Sequence, residues 1–109
     1  MSKTDKKIAH YKEIMEKRGW VPYDDALFDK ITRDLGPSIF DPDARYVAAS
    51  DPTEVQLIKT NFCMHKLGLA DGEYLDNAIA AVAAKMGKSN RYKHRPIFYY
   101  LLTQELNVF

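Results

Sequence analysis

The stretch of this 109-residue chain richest in chemistry is Lys88-Ser89-Asn90-Arg91-Tyr92-Lys93-His94-Arg95. It gathers four formal cations, one imidazole, one phenol and two small polar side chains. It falls where a last helix begins. Cations at a helix N-terminus are disfavoured by a few tenths to about 1 kcal/mol. An anion there meets free N–H groups and positive side chains together. In that reading Lys88, Arg91, Lys93 and Arg95 supply charge, while Ser89 and Asn90 supply directional hydrogen bonds. The chemistry is contact with an anionic ligand, a nucleic acid or an acidic protein. The competing reading is a solvated basic turn balanced by the protein's own acids, the usual fate of a charge run.

Such acids exist. Residues 20–58 hold eight acids (Asp24, Asp25, Asp29, Asp34, Asp41, Asp43, Asp51, Glu54) and three bases (Lys30, Arg33, Arg45), a local charge of −5 within a chain of net charge +1. The asymmetry can be satisfied within one fold or between subunits, which gives a second reading: a self-associating structural protein pairing its acidic 20–58 region with a neighbour's basic patch.

Other constellations point to little chemistry. Asp41-x-Asp43-x-Arg45 begins like a calcium loop, but Arg45 replaces an oxygen ligand, Tyr46 the required glycine, and Pro52 the twelfth position. Cys63 and His65, with His10 and His94, show no zinc spacing. Cys63 reads as a small buried hydrophobe and His65 as a hydrogen-bonded core-edge histidine. Ser38 follows Gly-Pro without a strand–turn–helix elbow, so a turn role fits it. Tyr99 and Tyr100 resemble a base-stacking platform, yet aromatics inside an apolar run belong to a core, with at least one hydroxyl reaching a polar partner. No catalytic residue, metal site or cofactor is expected, and the chain is not read as an enzyme.

The elements that must position the basic stretch are helical throughout. Ile8, Tyr11 and Met15 form a stripe over about Thr4 to Arg18, closed by Gly19. Leu27, Phe28, Ile31 and Leu35 form another over about Asp24 to Leu35, stopped by Gly36-Pro37. Residues 37–50 are irregular, with a short helix possible after Asp41-Pro42. Asp51-Pro52-Thr53-Glu54 predicts a helix with Asp51 as cap, Pro52 at N1 and Glu54 reaching back. Its stripe is Val55, Ile58, Phe62 and His65, and Gly68 ends it. Asp71 is expected to cap a helix from about Gly72 to Met86, whose many alanines suit close packing at the centre of a bundle. In the last segment, interior proline would cost about 3 kcal/mol. Pro96 is therefore placed at N1, after a loose turn at Ser89–Lys93. No segment alternates with the period of a half-buried strand.

Composition agrees: 46% hydrophobic and 28% charged, with thirteen aromatics. These values exclude a disordered tail and a disulfide mini-protein, since Cys63 is the single cysteine. Near-neutral net charge argues against a strongly basic nucleic-acid coat. MSKTDKK lacks the apolar region of a secretory signal, and the longest apolar run, Ala78 to Ala84, is far below the roughly 18 residues of a membrane span.

The chain resembles a family of small bacterial proteins catalogued as domain of unknown function 2853. The resemblance rests on GPSIF (Gly36 to Phe40), ASDP (Ala49 to Pro52), KTNF (Lys59 to Phe62), KLGL (Lys66 to Leu69), MGKSNR (Met86 to Arg91) and FYYLL (Phe98 to Leu102). It implies a compact helical bacterial protein and carries no catalytic residue. The expectation is an all-α, compact single-domain bundle of five or six helices over 1–109. Its function is expected to be non-enzymatic binding or regulation. It is expected to be cytoplasmic, without membrane contact, and monomeric or weakly homo-oligomeric.

Overall fold

Capping chemistry decides where three of the helices start. In the computed structural model, which describes residues 2–21 and 23–108, helix α1 spans Lys3–Lys17. Ser2 Oγ accepts the Asp5 N–H at 3.1 Å while the Asp5 carboxylate accepts the Ser2 N–H at 3.2 Å, a reciprocal capping box. Positions 1, 22 and 109 of the expected 1–109 domain lie outside the described residues. Helix α2 (Asp25–Leu35) is capped by Asp24, whose carboxylate accepts the Leu27 N–H at 3.0 Å. Gly36, at φ 61°, ends it, and the chain continues as a 3₁₀ turn over Gly36–Phe40. The short helix expected after Asp41 is a turn instead: the Asp41 carboxylate accepts the Asp43 N–H at 2.8 Å and holds the backbone there.

Helix α3 (Pro52–Leu57) starts as predicted, with Asp51 accepting the Thr53 N–H at 2.9 Å. Glu54 does not reach back to the cap; its carboxylate is taken by Arg95. The helix then continues from Ile58 to Lys66 with π winding, closing with Leu67 N–H donating to Phe62 C=O at 2.9 Å. The wider turn changes which residues face inward. Ile58, Phe62 and Cys63 are buried, and His65, expected at the core edge, is exposed. Normal α winding would have kept the predicted stripe.

Helix α4 (Glu73–Met86) begins after Gly72. Asp71 does not cap it, being drawn to Lys59 at 2.9 Å. Leu75, Ala78, Ile79, Val82 and Met86 are buried, but Ala80 and Ala84 face solvent. The alanine-rich helix is thus a flank of the bundle rather than its centre. The centre is helix α5 (Arg95–Glu105), buried without interruption from Pro96 to Thr103 and packed against α1, α2 and α4. His94 precedes it, so Pro96 takes the second helical position, where its missing N–H still costs no bond. Tyr99 and Tyr100 are both core residues with satisfied hydroxyls: Tyr99 Oη accepts from Arg95, and Tyr100 Oη accepts the Asp24 N–H at 2.7 Å.

The architecture is all-α, with a Cα radius of gyration of 13.1 Å, as expected for one domain of this length. The one extended pairing among the described residues is a bridge between Tyr46 and His94, with Val47 N–H donating to Lys93 C=O at 2.8 Å. It ties the irregular segment 41–50 to the threshold of α5. Among the described residues no helix is long and apolar enough to cross a membrane.

Candidate functional site

The basic stretch is pinned at both ends. Met86 C=O, at the C-terminus of α4, accepts from Arg18 Nη2 at 3.0 Å and from Asn90 Nδ2 at 3.1 Å. Asn90 Oδ1 accepts the Tyr92 N–H at 2.9 Å, folding the loop into a turn. Downstream, Arg95 N–H donates to Arg45 C=O at 2.9 Å.

Between these anchors the six nominated residues separate. Lys88, Ser89 and Arg91 are exposed. Among the described residues, neither Lys88 nor Arg91 forms an ion pair. Asn90 shapes the loop as above. Lys93 is 5% exposed, and its ammonium donates to Asn90 C=O at 2.6 Å and, more weakly, to Lys88 C=O at 3.5 Å. Burial without a carboxylate partner lowers its pKa below the ordinary lysine value. Arg95 is turned inward. Its guanidinium pairs with Glu54, donates to the carbonyls of Ala44 and Tyr46, and reaches Tyr99 Oη at 3.0 Å. Arg95 is therefore a structural clasp between α3, α5 and segment 44–46, not part of an open cationic surface.

The other five line one pocket. Lys88, Ser89, Asn90, Arg91 and Lys93 face Val47–Ser50 and the alanines Ala80 and Ala83 across a cavity of about 530 Å³. Its lining holds three cations and no carboxylate. The small side chains of 48–50 and of α4 leave the room. The sequence reading missed that wall; alanines on α4 gave a signal, but one that reads equally as close helix packing.

His94 stands outside this pocket, in an aromatic nest. Its ring lies 5.3 Å from Tyr11, 5.1 Å from Tyr46 and 6.1 Å from His10. Burial above all, then electrostatic repulsion from His10, Lys7 and Arg45, pushes its pKa down to about 4. The imidazole is neutral near pH 7 and adds no charge to the loop. Burial also pushes the Cys63 thiol up to about 11, so little thiolate forms. Ser38 Oγ donates to Leu35 C=O at 2.9 Å, a turn contact. Among the described residues no three His, Cys, Asp or Glu converge on a point that could hold a metal ion.

The acids of 20–58 are engaged at home. Lys12 sits between Asp25 (2.8 Å) and Asp29 (3.0 Å), Lys30 pairs with Asp34 (3.1 Å), and Glu54 holds Arg95. Asp24, Asp41 and Asp51 accept backbone N–H groups. Asp25, Asp29, Asp34 and Glu54 thus have cationic partners within the chain, while Asp24, Asp41, Asp43 and Asp51 have none among the described residues.

Against known proteins, the sequence matches a family model described as "Protein of unknown function (DUF2853)" over residues 9–108, the family its motifs resemble. A comparison with curated proteins gives no match.

Proposed function

The chain belongs to the DUF2853 family, and we propose that it works as a small binding module that holds an anionic group in the pocket between segment 47–50 and loop 88–93. The observation that carries this reading is the lining itself: Lys88, Arg91 and Lys93 all border the cavity, and no acid does. Three cations held together repel one another, and a bound phosphate or carboxylate relieves that while adding charge-assisted hydrogen bonds. Lys88 and Arg91, exposed and unpaired, make first contact. Ser89 offers a hydroxyl, and the Lys93 ammonium sits beneath with donors directed by two loop carbonyls. A single anionic group fits this geometry better than a duplex backbone, because the cations share one concavity instead of a stripe.

Titration of the labelled protein with inorganic phosphate, followed by amide chemical shifts, tests the reading. Saturable shifts at 48–50 and 88–93 that weaken with added chloride are expected. The Lys88→Ala, Arg91→Ala double variant should bind at least about tenfold more weakly. Shifts absent from these segments, or unchanged in the variant, refute it. Short single- and double-stranded nucleic acids at two salt concentrations provide the second arm: a steep salt slope would replace a single bound anion with a polyanion.

A further inference from the structure

The π-wound segment borders a second concavity, which Tyr99 of α5 also lines. This cavity of about 360 Å³ lies between α2, residues 61–67 and α5. From the wound segment it takes Asn61, Phe62, Lys66 and Leu67. These fall at i, i+1, i+5 and i+6. At 3.6 residues per turn, positions five apart are about 140° round the helix and cannot share a wall. With i to i+5 bonding, as between Leu67 N–H and Phe62 C=O, they are neighbours on one face. Phe62 and Lys66, four apart, share a face in either winding, so it is Asn61 and Leu67 that the π turn, a rare geometry frequent at functional sites, adds to the wall.

The floor is apolar and aromatic. Phe62 and Tyr99 stack with ring centroids 4.2 Å apart at 30°, and Leu27, Ile31 and Leu35 of α2 face them. The rim is cationic in balance. Lys30 and Lys66 approach the same Asp34 oxygen, at 3.1 and 3.9 Å, so two ammonium groups share one carboxylate and one positive charge is left over. An apolar cavity with a few polar groups at one edge is the ordinary form of a small-molecule site. At about 30 Å³ per water-sized group, this one holds roughly a dozen non-hydrogen atoms.

We infer that this cleft binds a small amphipathic carboxylate, its hydrocarbon body on the Phe62–Tyr99 floor and its headgroup at Lys66 and Lys30. The site shares no residue with the anion pocket, so each stands or falls alone.

Decanoate is a probe of the right size, with decanol as its uncharged match. Decanoate is expected to shift the amides of 30–35, 61–67 and 99–103 saturably at sub-millimolar concentration, leaving 88–93 unmoved. Decanol should bind more weakly. Lys66→Glu, at an exposed position, should weaken decanoate about fivefold without changing decanol. Asn61→Trp, which fills the mouth from an exposed position, should abolish both. Shifts elsewhere or none, equal binding of decanol and decanoate, or indifference to Asn61→Trp would each overturn the inference.

Discussion

Arg91 and Arg95 lie four residues apart in one basic run and have opposite fates. Arg91 extends from a loop and pairs with no carboxylate among the described residues. Arg95 enters α5 at a point where Glu54 of α3 and the carbonyls of Ala44 and Tyr46 stand within reach. Residue type and local charge density are the same for both. What differs is the tertiary partner, and for a long flexible cation the partner decides between surface and core. A guanidinium is suited to the inner role because its planar fork bonds several acceptors at once while its charge is neutralised by one.

The sharpest way to break the comparison is to truncate both. Arg95→Ala leaves the Glu54 carboxylate, itself largely buried, without its partner and two carbonyls without a donor. Removing one member of such a pair costs about 3–5 kcal/mol, a large part of a small domain's stability. Arg91→Ala should change stability by less than about 0.5 kcal/mol. Urea unfolding of both variants at pH 7 checks this. Equal effects would mean that the Arg95 clasp is not formed in solution.

His94, next to Arg95, sharpens the comparison through pH. Its folded pKa of about 4 is below the ordinary 6.5, so the unfolded chain takes up a proton first as pH falls. Stability is full above about pH 6.5 and declines between 6.5 and 4. Because the ring is partly solvated, screening reduces the effect to on the order of 1–2 kcal/mol. The Asp5 carboxylate, held low by its bond from Arg33, loses its contribution only below the usual aspartate range. Denaturation midpoints at pH 7, 5.5 and 4 should therefore fall in the native protein, and fall less in His94→Gln over this window. A flat native profile from 6.5 to 4 would show the imidazole already accessible.

The same contrast explains what was legible in the sequence. Features set by neighbours in the chain were readable: the Asp51 cap, the Gly36 stop, the apolar stripes of α1 and α2, and the buried run from Ile97 to Leu102. The failures lie where a distant residue outbids a near one. Glu54 leaves the cap for Arg95, and Asp71 leaves the cap for Lys59. The predicted stripe through His65 assumes α spacing, and no local pattern in residues 58–66 announces a π turn, so the cleft wall of Asn61 and Lys66 was not foreseeable. Of the basic stretch, the run of cations was legible, but neither the inward turn of Arg95 nor the cavity beside the other residues was. Its far wall, Val47–Ser50, is brought across by the Tyr46–His94 bridge, a contact between positions 48 apart.

Lys93 tests the boundary between the two fates, because it is buried like Arg95 yet lacks an acid like Arg91. Lys93→Met keeps the aliphatic stem and removes the ammonium. Two opposed terms follow. The Asn90 and Lys88 carbonyls lose a donor, a cost of about 1 kcal/mol for the shorter bond. Against that, a charge that burial disfavours, as its lowered pKa shows, is gone, which offsets part of that cost. The net change in stability should stay within about 1 kcal/mol of zero, well below that of Arg95→Ala. Phosphate affinity should nonetheless fall, since the pocket loses one of its three cations. If Lys93→Met instead destabilises as much as Arg95→Ala, the ammonium is a clasp for loop 88–93 and nothing more. If stability and phosphate binding are both unchanged, Lys93 takes no part in the pocket.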